Sequence, residues 1–449
     1  MRVPGRLFAT HVTAIIGFML ATAPVAAQGQ EDIDRCAHQG TTYSPDQQIA
    51  GCNAVIASGK LRGSRLANIY YNRGISYKAK QDYDRALADY SEAIRIDPKK
   101  SEAFNNRGSV YQDKGDHDRA VADFSEAIRL DPKSAKYYHN RGVSYKAKQD
   151  SDRALADYNA AIALDPKYAK AYYNRGLLYL SKGEHDRAIR DYTNAIRLDP
   201  TDAVAYNDRG LSFRVKGDPD RAITDLNEAL RLWPNFRNAF INRGAAFRDK
   251  RETDRAIADF NEAIAIDPKH ASAYINRGLA FEDKFENDRA IADFNEAIRL
   301  DPKSTTYFDR GLARFRQGDV RLSAEDFLRS NDLKDYAYAM LWRFLARAHL
   351  KEDGGSELSA SAARLKNKDW PYAVIDFYLG RRSLEELRNS ATTADERCEV
   401  SFYGGEWRLL RDEKAAALTD LQAAIDTCPK DFIEYRAAIA EKKRLERQP

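Results

Sequence analysis

The chain has 449 residues, of which 31% are charged and 43% hydrophobic, so it has enough apolar side chains for a packed and soluble fold. Its 72 basic and 68 acidic residues leave a formal net charge of +4 and are mixed in sign along the sequence. A nucleic-acid groove needs a stripe of one sign to neutralise phosphates, so this balance argues against nucleic acid as a partner.

The first segment, residues 1–27, has the order of features of a secretory signal peptide. Two arginines precede an apolar run from Leu7 to Leu20, and small residues lead up to Gln28. We therefore predict export, cleavage after Ala27 and no stable membrane span in the processed chain. An uncleaved anchor is the alternative. The residue after the predicted cleavage site is not cysteine, so the lipid-modified type of signal is not matched.

Residues 28–66 are predicted to form a degenerate helical cap with its own disulfide. Cys36 and Cys52 lie in this segment, and the sequence favours a bridge from a short helix to a helix that starts near Pro45. An even number of cysteines after an export signal favours disulfides. No pair of cysteines has the spacing of a zinc site, so bound zinc is not expected.

A 34-residue unit then repeats seven times between Ala67 and Lys303. A period of this length is typical of a solenoid, in which each unit covers the apolar flank of its neighbour. Apolar residues recur at helical spacing in both halves of each copy, and a proline closes it. An eighth copy begins at Tyr307, so the array is predicted to cover residues 67–335. The regular copies are marked by Arg73, Arg107, Arg141, Arg175, Arg209, Arg243 and Arg277.

Residue sizes in the first copy predict how its two helices cross. Gly74 is expected to face Ala86, with the ring of Tyr90 filling the space beside this close approach, so a large side chain in place of the glycine would overpack the crossing. Asp84 is predicted as the N-cap of the second helix, because an aspartate there accepts free backbone N–H groups.

Each copy also has an aspartate in its second helix, 16 residues after the marker arginine. We predict that Arg73 pairs with Asp89 across the hairpin and fixes its register. The alternative is a surface pair within the second helix, between Asp89 and Arg85.

The repeat resembles the tetratricopeptide repeat (TPR) family. Its aromatic, glycine, alanine and proline positions keep the family's offsets, although arginine stands where the family usually has leucine before the glycine. The resemblance implies an all-α fold, a right-handed superhelix of antiparallel helix hairpins. The first aromatic of each copy is Tyr70, Phe104, Tyr138, Tyr172, Tyr206, Phe240 or Tyr274.

A short polar side chain precedes each marker arginine and forms a predicted ladder on one face. Such amides match the N–H and C=O groups of an extended peptide, as the resemblance implies for the concave groove. Tyr71, His139 and Tyr173 are predicted to add polar aromatic surface. The alternative is that the amides cap or bridge neighbouring hairpins. The ladder consists of Asn72, Asn106, Asn140, Asn174, Asp208, Asn242 and Asn276.

From Tyr336 the strict repeat is lost, and residues 336–449 are predicted to be a degenerate TPR-like helical domain that closes the solenoid. If Gly405 takes the glycine position of a last repeat, Cys398 lies in its first helix and Cys428 at the end of its second. Antiparallel helices bring these ends together, which predicts the disulfide Cys398–Cys428.

Segments of this domain, from "AYAMLWRFLARAHL" to "FIEYRAAIAEKKRL", resemble the C-terminal part of NlpI-type periplasmic TPR proteins. That resemblance implies a periplasmic homodimer that acts as an adaptor for a protease or a peptidoglycan hydrolase. The alternative function is a structural envelope or assembly protein without a dedicated peptide site.

Catalytic motifs are not found in the sequence. It has no Gly-rich phosphate loop, no nucleophile elbow and no paired metal-binding histidines on one helix. We therefore predict a protein without enzymatic activity, metal or cofactor, whose partners are other proteins or extended peptides.

Overall fold

The computed structural model describes residues 25–37 and 43–447, with side chains from residue 29 onward. Within these ranges the chain forms 25 helices and no strand, which confirms the predicted all-α fold. Most of the predicted signal peptide, residues 1–24, lies outside the described residues. No helix in the described ranges is both long and apolar enough to cross a membrane.

The chain divides into two compact units, Met1–Leu178 and Tyr179–Pro449. The predicted domain boundaries after residues 66 and 335 stay predictions. The helices up to the division are α1 (Val25–Cys36), α2 (Pro45–Ala57), α3 (Gly63–Ala79), α4 (Tyr83–Ile96), α5 (Ser101–Asp113), α6 (His117–Leu130), α7 (Ala135–Ala147), α8 (Ser151–Leu164) and α9 (Ala169–Ser181), which contains it.

The second unit continues the regular hairpins and ends in shorter, less regular helices. Its hairpin helices are α10 (His185–Leu198), α11 (Ala203–Val215), α12 (Pro219–Leu232), α13 (Arg237–Asp249), α14 (Thr253–Ile266), α15 (Ala271–Asp283), α16 (Asn287–Leu300), α17 (Ser304–Gln317) and α18 (Val320–Leu333). The closing helices are α19 (Ala337–His349), α20 (Gly355–Ala362), α21 (Tyr372–Tyr378), α22 (Leu384–Ser390), α23 (Ala394–Leu409), α24 (Lys414–Thr427) and α25 (Ile433–Arg447).

The turn inside each hairpin determines where its second helix begins. In the first hairpin Gln81 takes a left-handed conformation with φ 60°, and the next residue, Asp82, accepts the N–H of Arg85 at 3.2 Å. Asp82 is therefore the N-cap, and the prediction of Asp84 was wrong by two residues. Asp84 lies in the first turn and pairs instead with Lys114 of the next hairpin, at 2.7 Å.

The predicted crossing of the two helices is confirmed. Tyr90 and Ala86 are fully buried, and a Cβ added to Gly74 would lie 2.8 Å from Cε1 of Tyr90. The later hairpins repeat this contact, and at Gly244 the added Cβ would lie only 2.6 Å from Cε1 of Phe260. Glycine is needed here because a side chain would occupy the space of the ring.

The predicted arginine–aspartate pair is also confirmed. Arg73 donates through Nε and Nη2 to the two carboxylate oxygens of Asp89, at 2.8 and 2.7 Å. The alternative pair within the second helix was wrong, because Arg85 donates to Asp82 at 2.6 Å. The same two-point contact joins Arg107–Asp123, Arg141–Asp157, Arg209–Asp225, Arg243–Asp259, Arg277–Asp293 and Arg310–Asp326.

A third contact of these arginines links consecutive hairpins. Nη1 of Arg107 donates to Ser91 Oγ in the hairpin before it, at 3.1 Å, and Nη1 of Arg243 donates to Asn227 Oδ1 at 2.7 Å. One side chain therefore fixes both the register within a hairpin and the contact with its neighbour.

Disulfides close both ends as predicted. Cys36–Cys52 joins α1 to α2 with a Cα–Cα distance of 4.7 Å, and Cys398–Cys428 joins α23 to the end of α24 at 5.0 Å. The closing helices pack around the side chain of Trp342, which is fully buried.

Candidate functional site

The amide ladder lies on the first helices of successive hairpins, one residue before each ion-paired arginine. All seven side chains are partly buried, so each has an inner side that meets neighbouring helices and an outer side that meets solvent. The ladder positions are Asn72 on α3, Asn106 on α5, Asn140 on α7, Asn174 on α9, Asp208 on α11, Asn242 on α13 and Asn276 on α15.

On the inner side, the amides of the first unit form a chain of hydrogen bonds across hairpins. Asn174 donates from Nδ2 to Nε2 of His139 at 2.9 Å. Nδ1 of His139 donates in turn to Oδ1 of Asn140 at 3.3 Å, and Nδ2 of Asn140 donates to Oδ1 of Asn105 at 2.8 Å. Burial lowers the pKa of His139, so its neutral ring supplies one donor and one acceptor to the chain.

The chain continues to the first hairpin. Asn105 donates from Nδ2 to Oδ1 of Asn106 at 3.0 Å, and Asn106 donates from Nδ2 to the hydroxyl of Tyr71 at 3.0 Å. Hydrogen bonds thereby connect six side chains on the first helices of four consecutive hairpins, and the donors all point from α9 towards α3. The bridging role that the sequence left open is therefore present in the first unit.

Bridging uses only part of the capacity of these amides. An asparagine side chain has two N–H donors and two acceptor lone pairs. Asn140 uses one donor on Asn105 and one lone pair for His139. Asn106 likewise uses one donor on Tyr71 and one lone pair for Asn105. Asn140 therefore retains one donor and one acceptor, which is the pair that a peptide unit of an extended chain requires.

The second unit repeats this arrangement once. Asn242 donates from Nδ2 to Oδ1 of Asn207 at 2.9 Å, and Asn207 donates to Oδ1 of Asp208 at 2.9 Å. Asn276 has Ile241 at the position of the expected partner, so it donates instead to the carbonyl of Ser272 in its own helix, at 2.8 Å.

The structure places the other predicted site residues on the same helices. Tyr71 and Tyr173 are partly buried, whereas His139 is only 7% exposed and contributes less surface than the sequence suggests. Asn105 and Asn207, which are 1% and 4% exposed, were not predicted from the sequence. The feature of the sequence that could have identified them is an asparagine directly before a ladder residue. The binding role of the ladder stays a prediction.

The eighth hairpin carries Asp309 at the corresponding position, in a network of buried charges. Glu282 and Arg316 form a buried ion pair nearby, and Arg436 of α25 donates to Asp283 at 2.7 Å. Burial, reinforced by the charge of Glu282, raises the pKa of Asp309 to about 7. Here the C-terminal helix, which packs against α17, supplies part of the surroundings of the ladder position.

Sequence models described as tetratricopeptide repeat or TPR repeat match most of the regular hairpins. The matched ranges are 74–115, 108–149, 144–183, 169–202, 207–271 and 246–305. Among curated proteins, the chain is similar to the Lipoprotein NlpI homolog of Haemophilus influenzae, with 34% identity over 154 residues. This match covers 31% of the chain and 48% of the relative, so the chain spans about half the length of the curated relative.

Solved structures of repeat proteins are similar to parts of the chain. One is MamA, with 33% identity, a TM-score of 0.34, and coverage of 37% of this chain and 91% of that one. Another is YrrB, described as a TPR protein with an unusual peptide-binding site, with 26% identity, a TM-score of 0.36, and coverage of 41% and 94%.

Proposed function

Because the chain belongs to the tetratricopeptide repeat family of protein-interaction scaffolds, we propose that it binds an extended peptide of a partner protein along the amide ladder. The observation that supports this proposal is the capacity left on Asn140, which retains one donor and one acceptor beyond its bonds to Asn105 and His139. Backbone recognition of this kind depends little on the peptide's side chains. No chemical step is required of the ladder, and the role is non-enzymatic.

We place this binding in the cell envelope. The features of residues 1–27 favour export, and two disulfides suit an oxidising compartment such as the periplasm. The similarity to the NlpI homolog supports the same location. We further propose that the chain is a homodimeric adaptor that presents a bound protein to a periplasmic protease or peptidoglycan hydrolase.

A second candidate is a structural or assembly protein of the envelope without a peptide site. It is favoured by the chain of hydrogen bonds that begins at Asn174 and ends at Tyr71. In this chain the same amides have a role in stacking consecutive hairpins. The two candidates differ in what an amide deletion changes: partner binding in the first, and only the stability of the array in the second.

The test is a site-specific crosslink in the periplasm. A photoreactive amino acid at Lys136, exposed one helical turn before Asn140, should capture one contiguous peptide segment that mass spectrometry can identify. The same group at Arg153, exposed on the second helix α8, is the control position. Equal yields and equal products at the two positions would contradict peptide binding on the ladder.

Alanine substitution then separates the two candidates. The triple change Asn106→Ala, Asn140→Ala and Asn174→Ala should remove the crosslinked peptide, whereas Asn159→Ala on the second helix should not. Melting by circular dichroism shows how much folded array remains. If the folded triple variant still captures the peptide at the wild-type yield, the three amides do not bind it, and the proposal for the ladder is refuted.

A further inference from the structure

Three polar side chains from three different helices converge in the C-terminal domain, away from the amide ladder. They are His349 at the end of α19, Glu406 on α23 and Glu441 on α25. One ligand atom from each lies within 4.8 Å of the other two. Nε2 of His349 is 2.8 Å from Oε2 of Glu406. This is the only such His, Cys, Asp or Glu group among the described residues.

The two carboxylates of this cluster are only partly satisfied by hydrogen bonds: Oε2 of Glu406 contacts Nε2 of His349, but one oxygen of each carboxylate has no partner. Glu406 is fully buried and Glu441 is 2% exposed, yet Oε1 of each lacks a hydrogen-bond partner. Nη1 of Arg444 lies 2.7 Å from Oε1 of Glu441, but without the geometry of a hydrogen bond. A buried carboxylate oxygen without a partner is costly, so it indicates a group that is not part of the chain.

Two neighbouring buried glutamates do have hydrogen-bond donors of their own. Glu399 accepts from the indole N–H of Trp370 at 2.9 Å and from the hydroxyl of Tyr338 at 3.1 Å. Glu434 accepts from the hydroxyl of Tyr403 at 3.0 Å. The domain thus provides donors for Glu399 and Glu434, whereas the cluster directs two carboxylates and an imidazole at one another.

Charge points to a cation as the missing group. Within the cluster two buried carboxylates face the guanidinium of Arg444 and the imidazole of His349. A divalent ion bound through the carboxylates and the imidazole would satisfy the unpaired oxygens and supply positive charge in a site where charge is poorly screened. The side chain of His349 is 18% exposed, which gives an ion access from the surface.

We propose that His349, Glu406 and Glu441 bind one divalent transition-metal ion of the Zn²⁺ class. Imidazole and carboxylate donors suit this class, and three protein ligands leave a fourth position for water. Tetrahedral zinc with bonds of about 2.1 Å places its ligand atoms roughly 3.4 Å apart. The 2.8 Å between Nε2 of His349 and Oε2 of Glu406 is shorter than this value, and all three ligand atoms lie within 4.8 Å of one another, so side-chain rotations would suffice to reach it. The ion would fasten α25 to α19 and α23.

The test uses Zn²⁺ itself, titrated into the full-length processed protein in competition with a chromophoric chelator. One equivalent should bind, and Glu406→Gln should weaken binding at least tenfold, since it replaces a ligand with an amide of nearly the same shape. His349→Gln should have the same effect. The matched control is His185→Gln, a histidine outside the cluster, which should leave the affinity unchanged.

Co²⁺ provides an independent readout of the site. Its visible absorption in the wild-type protein should indicate nitrogen and oxygen ligation and should be lost in both ligand variants but not in the control. A wild-type protein that takes up no Zn²⁺ would overturn the proposal without reference to any variant. Uptake that is unchanged in folded Glu406→Gln, with near-ultraviolet circular dichroism confirming the fold, would also overturn it.

Discussion

Replacing Arg141 with leucine, the residue usual for the family, should destabilise the third hairpin. The guanidinium contacts both oxygens of Asp157 at 2.9 and 2.8 Å and reaches Ser125 of the preceding hairpin at 3.1 Å. Asp157 keeps only 6% of its side chain exposed, so Arg141→Leu leaves a buried carboxylate unpaired. Breaking a buried pair costs about 3–5 kcal/mol. Because Arg141 is itself 21% exposed, we expect a smaller loss, about 2–3 kcal/mol.

The assay is native-state hydrogen exchange of the amides in α7 and α8, because a solenoid opens locally and a global midpoint would average over its hairpins. The matched control is Arg153→Leu, which breaks an exposed pair with Asp150 in the same hairpin. That change should cost no more than about 1 kcal/mol. Adding Asp157→Leu to Arg141→Leu should restore part of the loss, because it removes the unpaired charge. Equal protection in both arginine variants would refute the reasoning.

Three further changes probe other parts of the chain. Gly244→Val should cost about 1–3 kcal/mol by overpacking, because an added Cβ would lie 2.6 Å from Phe260; a melting temperature equal to the wild type would contradict this. Replacing Cys398 and Cys428 with alanine should cost about 3–4 kcal/mol in the chain-entropy model, measured by urea unfolding with the reduced wild type as control. The pKa of Asp309 is raised to about 7 in the folded chain, so its contribution to stability is complete below about pH 4 and is lost as pH rises through 7. Asp309→Asn should therefore reduce the fall in urea midpoint between pH 5 and pH 8, and an unchanged fall would contradict the assignment.

The fold was predictable because its determinants are local and repeated. Spacing within one 34-residue copy placed Gly74 against Tyr90 and Arg73 against Asp89, and both contacts are present. The N-cap was misplaced because Asp82 and Asp84 are chemically equivalent caps in the sequence. The left-handed residue before Asp82 decides between them, and nothing in the composition of that turn requires glutamine to adopt it.

The site was less predictable because its contacts join residues of different hairpins. Asn140 and Asn105 are 35 residues apart, and their pairing depends on how one hairpin stacks on the next. His349 and Glu406 are 57 residues apart, and the cluster that they form with Glu441 involves helices outside the regular repeat. Its three residues lie on three different helices, so no spacing of metal ligands along one helix could predict it.

The partial use of the Asn140 amide links binding to the stability of the array. A peptide that pairs with the outer donor and acceptor of Asn140 would hold the side chain in the orientation that its inner bonds to Asn105 and His139 already require. Binding and stacking would then favour the same rotamer, and each would lower the entropic cost of the other. The bridging role is for this reason compatible with recognition: the inner bonds fix the amides in advance, and a partner meets donors and acceptors that are already oriented.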